Sequence, residues 1–238
     1  MAALRSIFGG TKGKSSSKSS TSSKSSSKSP SPAPDYLMET PPLTPLQLQG
    51  YLPTTRNRIM SRELGEDIRS ILPARQQIRS QWQLLYSLEQ HGSSLHTLYR
   101  SIKPDREKYD KNGYVLVIKD TKGGIFGSYT NEYLHPTDTR RFFGNGECFL
   151  WKSKIVANEE GEPHVQFKAF PYTGLNDYII YCTSKFLSLG GGDGHYGLWV
   201  DEDLMNGVSD SSLTFGNEPL SEGSTKFNIL GVEVWKVG

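Results

Sequence analysis

The 238-residue sequence has little cysteine and no long apolar run. Its two cysteines, Cys148 and Cys182, cannot build a disulfide framework, which favours a reducing compartment. No stretch approaches the roughly 20 apolar residues that span a bilayer, and residues 1–8 are too short for a signal-peptide core. We therefore expect a soluble cytoplasmic protein that does not insert into membranes. A mitochondrial location is the alternative, because the leader is basic, rich in serine and free of acidic residues.

Acidic residues are missing from residues 1–34, which carry six Lys and Arg. Apolar side chains are missing from residues 15–31, where twelve Ser and three Lys leave too little surface to bury. All four tryptophans lie after residue 80. The sequence thus predicts a disordered tail and linker rich in Ser, Lys and Pro over residues 1–57, and one globular domain over residues 58–238. Deleting residues 1–57 is then expected to leave thermal stability nearly unchanged.

Two helix signals open the predicted domain. Ser61 suits an N-cap, and apolar residues follow from Leu64 with helical spacing until Pro73 stops the pattern. A second apolar stripe begins at Leu95, with Ser93 or Ser94 as its N-cap, and ends before Pro104. Both segments are short, so they predict helices that flank a larger structure.

Strand patterns dominate the rest of the chain. They occupy residues 82–86, 114–118, 125–129, 148–156, 165–170, 178–182 and 186–189, with Gly-rich turns between several of them. Near the end of the chain, the apolar residues Phe227 and Ile229 have odd numbers, whereas Val232 and Val234 have even numbers. A β-bulge near Gly231 would let all four face inward. We predict a mainly β fold with flanking helices (α+β), arranged as a two-sheet antiparallel β-sandwich.

The sequence contains one literal match to a nucleotide-binding motif, at Gly192-Asp193-Gly194-His195-Tyr196-Gly197. That motif requires a helix directly after it, whereas Leu198-Trp199-Val200 is typical of a strand. The acidic stretch from Asp201 fails as a calcium loop, because Ser212 stands where a bidentate Glu is needed. The histidines lack zinc-ligand spacing. We expect no cofactor and no metal.

The two cysteines are the candidates for an enzyme. Cys148 and Cys182 lie among apolar and aromatic neighbours, which favours thiols packed inside sheets over nucleophiles. We expect no catalytic residues, and a thiol-dependent antioxidant enzyme that uses Cys148 or Cys182 is the alternative. Nucleic-acid binding is not expected, because residues 35–238 hold every aromatic side chain except Phe8 but carry a net charge of −4.

Two regions are candidates for contact with a partner. The first contains four glycines in five positions, which let the backbone approach another molecule closely or form a tight structural turn. It comprises Gly190, Gly191, Gly192, Asp193, Gly194, His195 and Tyr196. The second is Glu147, because a carboxylate beside an apolar strand must be paired or exposed to a partner.

Several stretches together resemble the TLDc domain. They are Trp82-Gln-Leu-Leu-Tyr86-Ser, Gln90-His91-Gly92-x-Ser94-Leu95-x-Thr97-Leu98-Tyr99, Gly144-x-Gly146-Glu147-Cys148-Phe149-Leu150, Gly190-Gly191-Gly192-x-Gly194-x-Tyr196-Gly197-Leu198-Trp199-x-Asp201, Thr214-Phe215-Gly216-Asn217-x-Pro219-Leu220 and Val232-Glu233-Val234-Trp235. The resemblance covers residues 61–238 in the order of the family, so it implies a single TLDc domain.

This resemblance implies a function that composition and spacing do not. It implies a β-sandwich flanked by helices, protection from oxidative damage, and association with the peripheral sector of the vacuolar proton-pumping ATPase (V-ATPase), whose assembly some members regulate. It implies no catalytic residues. We expect a monomeric, non-enzymatic binding protein.

Overall fold

The computed structural model describes residues 42–105, 111–137, 139, 141–157 and 163–238, which form a mainly antiparallel β structure with few helices. The helices are α1 (Arg62–Ser70), α2 (Ala74–Gln77), α3 (Leu88–His91) and α4 (Leu95–Ile102). The strands are β1 (Gln47–Gln49), β2 (Gln81–Ser87), β3 (Gly113–Asp120), β4 (Ile125–Thr130), β5 (Phe149–Ala157), β6 (Pro163–Pro171), β7 (Ile180–Cys182), β8 (Phe186–Gly192), β9 (His195–Asp201), β10 (Asn206–Val208) and β11 (Lys226–Val237). Across these ranges, no helix is both long and apolar enough to cross a membrane.

The twelve-residue strand β11 connects the two halves of the sheet. Its first residues pair with β10, and its later residues pair with β3 on one side and β2 on the other. The hydrogen-bonded order is β6-β5-β4-β3-β11-β10-β9-β8-β7, and β1 adds to β2 in parallel. The prediction of a mainly β fold with flanking helices is confirmed, and backbone pairing joins all these strands through β11.

The predicted bulge lies in β11. Its pairing with β3 shifts register between Ile229 and Gly231. Because of that shift, Phe227 and Ile229 enter the same buried cluster as Val232 and Val234, although their parities differ. The bulge at Gly231 is therefore confirmed.

Two apolar clusters cover opposite faces of β3. Leu116 and Ile118 belong to the first cluster, whereas Val115 and Val117 belong to the second. The first cluster contains side chains of α4, β8 and β9, and the second contains α1 and the chain that precedes it. Burial on both faces explains why β3 is an unbroken apolar run.

Both predicted helices begin at their predicted caps. The Ser61 side chain accepts from the Leu64 backbone N–H at 3.1 Å, and the Ser94 side chain accepts from Thr97 N–H at 3.4 Å. Leu64 on α1 and Leu95 on α4 face the core. Each helix therefore satisfies an otherwise free N–H and buries one apolar stripe.

Ordered structure begins earlier than the predicted boundary between residues 57 and 58. Leu46 is 0% exposed, β1 pairs with β2, and Glu66 accepts from the Leu46 backbone N–H at 2.7 Å. A three-residue strand among prolines is too short to show a period, which is why the sequence pattern missed it. Residues 1–41 of the predicted tail lie outside the described residues.

Polar side chains of the domain hold residues 44–60, which we call the N-terminal segment. The buried Arg69 donates to the Thr44 carbonyl at 2.7 Å, and Gln90 accepts from Leu52 N–H at 2.9 Å. Glu89 accepts from the N–H groups of residues 56 and 57, each at 2.8 Å. The N-terminal segment is thus part of the domain.

Candidate functional site

The glycine-rich stretch forms the β8–β9 hairpin, with Asp193 and Gly194 as its two-residue turn. Both turn residues have positive φ, +53° and +80°, as a type I′ turn requires. A strand follows directly, so the literal nucleotide-binding motif lacks its helix. Asp193, Gly194 and His195 are exposed at the tip, and Gly192 and Tyr196 are half-buried.

The other two predicted glycines are buried in β8. Gly190 has φ +73°, and a Cβ there would lie 2.7 Å from a ring carbon of Phe215 and from Ser212 Oγ. The Gly191 N–H donates to Thr214 Oγ1 at 2.9 Å. Gly190 and Gly191 therefore fit the tight-turn interpretation, and the surface available to a partner begins at the hairpin tip.

A histidine and an aspartate meet beside this tip. His195 Nδ1 lies 3.0 Å from Asp210 Oδ2, and the two side chains are part-exposed. A cavity of about 280 Å³ adjoins them, walled by Ser211, Ser212 and Leu213. Ser212 Oγ donates to Asn217 Oδ1 at 2.6 Å, which fixes that wall. The pair and the cavity together form a polar surface beside the hairpin tip.

A row of aromatic rings continues from the hairpin across the outer side of β7, β8 and β9. We call it the aromatic face, and it comprises Phe142, Tyr178, Tyr181, Phe186, Tyr196 and Trp199. Neighbouring ring centroids lie 4.7 Å apart for Phe142 and Tyr178, 5.2 Å for Phe142 and Tyr181, 5.6 Å for Tyr181 and Phe186, 6.0 Å for Phe186 and Trp199, and 6.4 Å for Phe186 and Tyr196. Phe142 is 39% exposed and Tyr178 is 45% exposed.

Of the aromatic face, sequence reasoning predicted only Tyr196 and missed the other five rings. The sequence pattern that could have indicated it is the alternation of side chains along each strand. Tyr181 and Trp199 are half-buried, whereas their neighbours Cys182 and Leu198 are buried in the core. Strand pairing places Tyr181 and Trp199 on either side of Ser188. That neighbourhood depends on register between strands, which one strand's pattern does not reveal.

Glu147, the second predicted contact residue, is paired within the chain. Both of its carboxylate oxygens accept from the Arg75 guanidinium. The hydrogen bonds from Arg75 lower the pKa of Glu147, and the same bonds to the Glu147 carboxylate raise the pKa of Arg75. The pair joins α2 to the start of β5, so one of the two alternatives in the prediction, pairing, accounts for Glu147.

Both thiols are buried in the core, as predicted. Burial raises the pKa of Cys148 to about 11 and the pKa of Cys182 to about 12. The Cys148 thiol donates to Asn131 Oδ1 at 3.1 Å. In the described ranges, His, Cys, Asp and Glu form no group of three or more able to hold a metal ion.

The fold and this site define a mainly antiparallel β domain with an exposed polar and aromatic hairpin surface. Residues 53–238 match the family model of the TLDc domain. This chain therefore belongs to the TLDc domain family.

Proteins similar to this chain include fungal proteins named oxidation resistance protein 1. The one from Kluyveromyces lactis is 53% identical over 205 residues, covering 82% of this chain and 82% of the relative. The one from Saccharomyces cerevisiae is 49% identical over 221 residues, covering 85% of this chain and 81% of the relative. The one from Cyberlindnera jadinii is 66% identical over 152 residues, covering 61% of this chain and 86% of the relative.

Proposed function

We propose that this chain is a non-enzymatic TLDc protein that protects against oxidative damage by binding the peripheral sector of V-ATPase and regulating its assembly. Membership of the TLDc family and the names of its relatives support the protective role. The partner is the one that resemblance to the family implies.

The aromatic face is the structural observation that supports binding to a partner protein. Side chains such as Phe142 and Tyr178 expose large rings, although water solvates exposed rings less favourably than polar groups. Tyr, Trp and Phe are enriched at protein interfaces, and Tyr and Trp are frequent among the residues that contribute most binding energy. We propose that this face and the hairpin tip, with Asp193 and His195, contact the ATPase.

Buried thiols support the non-enzymatic part of the proposal. A peroxide-reducing cysteine acts as an accessible thiolate. Cys148 and Cys182 are both covered, and their raised pKa values keep them protonated at neutral pH. The enzyme alternative would need one of these residues to become exposed before it could react.

We also propose that the two halves of the sheet pack as a β-sandwich. Leu116 on β3 and Leu198 on β9 share the first apolar cluster. A Cβ on Gly197 would lie 2.8 Å from Leu150 Cδ1, so β9 runs close against β5. Gly197→Val is expected to destabilise the fold strongly in urea unfolding, and unchanged stability would contradict the close packing.

Direct binding tests the partner. The full chain is titrated against purified peripheral ATPase sector, with and without nucleotide, and binding is measured by biolayer interferometry. Phe142→Ser with Tyr178→Ser is expected to weaken binding about tenfold or more. The control is Leu175→Ser, which removes an apolar side chain that is 71% exposed and lies outside the aromatic face. Absence of binding by the unmodified chain would reject the partner, and equal binding by both variants would reject the surface.

A further inference from the structure

A second surface, distant in sequence from the hairpin, forms a groove of about 410 Å³ beside α1. We call it the α1 groove. Ile59, Leu64, Ile125 and Leu220 contribute apolar lining, and the β5–β6 hairpin contributes Ile155 and Val165.

The outer wall of the α1 groove is unusually apolar for a protein surface. Ile155 and Val165 are cross-strand partners, and they are 75% and 56% exposed. A paired, protruding apolar wall above a lined groove can bury an apolar side chain that enters from outside. The exposed area therefore suits an inserted side chain.

The lysines around the α1 groove already have partners inside the chain. Lys152 Nζ lies 2.8 Å from Glu218, and Lys154 Nζ lies 3.7 Å from Glu222. Lys122 Nζ donates to the carbonyl of Glu222 at 3.1 Å. Glu218 and Glu222 thus offset charge on Lys152 and Lys154, whereas Lys122 donates only to a neutral carbonyl.

The carboxylates on the α1 side are not compensated in the same way. Glu63 and Asp67 both line the groove, and neither forms an ion pair with another described residue. Hydrogen bonds with its own backbone N–H and with Ser61 lower the pKa of Glu63. Partial burial desolvates the carboxylate of Asp67 and raises its pKa. A cation supplied from outside would remove that cost.

We propose that the α1 groove binds a segment of a partner protein that inserts an apolar side chain between Ile155 and Leu64 and sets Lys or Arg against Asp67 and Glu63. The apolar wall supplies the contact area, and the unpaired carboxylates select the charge of the segment. The proposal rests on these lining residues and does not depend on the ATPase assignment.

Two synthetic peptides of identical length test it against the full chain. One carries two leucines one helical turn apart with flanking lysines, and the other replaces every lysine with glutamate. Fluorescence anisotropy at low and physiological salt measures their binding. The lysine peptide is expected to bind at least about tenfold more tightly than the glutamate peptide, with a difference that shrinks as salt rises.

Matched variants separate the two parts of the groove. Ile155→Ser is expected to weaken the lysine peptide about tenfold, whereas Ile78→Ser, which removes an isoleucine that is 69% exposed elsewhere, leaves it unchanged. Asp67→Asn is expected to weaken the lysine peptide several-fold and to leave the glutamate peptide no weaker. Circular dichroism confirms that each variant is folded.

Three results would overturn the proposal. Equal affinity for the two peptides would show that Asp67 and Glu63 do not select a cationic segment. Binding that is unchanged in Ile155→Ser would place the peptide elsewhere. Sedimentation that shows a dimer of this chain, lost in Ile155→Ser, would make a second copy the occupant of the α1 groove in place of a partner protein.

Discussion

Glu233 is 1% exposed in β11, and no Lys, Arg or His forms an ion pair with it among the described residues. Hydrogen-bond donors surround its carboxylate instead. They are Tyr51 Oη at 2.8 Å, Ile59 N–H at 2.9 Å, Trp235 Nε1–H at 3.0 Å and Met60 N–H at 3.1 Å. Charge-assisted hydrogen bonds of this kind offset the desolvation of a buried carboxylate. Glu233 therefore attaches the N-terminal segment to β11.

Glu233→Gln is expected to lower the free energy of unfolding by about 2 to 3 kcal/mol, since an amide NH₂ would face donors where an oxygen accepted from them. Urea unfolding at pH 7 measures the change. Tyr51→Phe, which removes one donor and keeps the carboxylate, is expected to cost about 1 kcal/mol. A larger loss in Tyr51→Phe than in Glu233→Gln would contradict this account.

The thiols give a prediction that depends on pH. Their pKa values rise from 9.0 to about 11 for Cys148 and about 12 for Cys182 because of burial. At pH 8 the native protein is expected to react with a disulfide reagent about 100-fold more slowly than the urea-unfolded chain, since each pKa unit lowers the thiolate fraction tenfold. Rapid reaction of one thiol in the folded protein would instead favour the enzyme alternative.

The same shifts fix the sign of a stability change. A raised thiol pKa means that the folded state holds its proton more tightly than the unfolded state. This contribution to stability is complete below pH 9 and is lost as pH rises through about 11. Urea midpoints at pH 8, 9 and 10 are expected to fall more steeply for the unmodified chain than for Cys148→Ala with Cys182→Ala. Parallel curves would show that the thiols do not contribute.

At the scale of elements, the β8–β9 hairpin separates two kinds of glycine. Gly190→Ala is expected to cost about 2 to 4 kcal/mol, because its Cβ would overlap Phe215 and Ser212. A Cβ on Gly194 would have no atom within 4 Å, so Gly194→Ala is expected to lower the free energy of unfolding only through its positive φ, by about 1 kcal/mol. Equal losses in urea unfolding would show that conformation, not space, selects both glycines.

Sequence reasoning predicted the elements that are specified by residues close to them in the chain. A capping Ser61 or Ser94 before an apolar stripe, and a parity change at Gly231, each lie within a dozen residues of the feature that they specify. Strand β1 was missed because its pairing with β2 is a long-range property of a three-residue segment. Most of the aromatic face and the donors around Glu233 were missed for the same reason, since they come together only through the fold.

For the whole molecule, the N-terminal segment changes what a truncation should do. A chain lacking residues 1–57 loses buried Leu46, β1 and the Tyr51 donor to Glu233. Its free energy of unfolding is expected to be at least about 4 kcal/mol below that of a chain lacking residues 1–41. This reverses the expectation from composition that residues 1–57 contribute little. Equal urea midpoints for the two truncations would restore it.

The junction made by β11 has a consequence for how the protein is made. In the sheet β11 lies between β2 and β3, but the ribosome synthesises it last of the three. Leu84 on β2 therefore has no partner until Trp235 has been added. Until then β2 and β3 each have an unpaired edge, and unpaired strand edges promote aggregation. Completion then depends on contacts between distant parts of the chain, so refolding is expected on the order of seconds. We therefore expect chaperones to bind the nascent chain until β11 has been made.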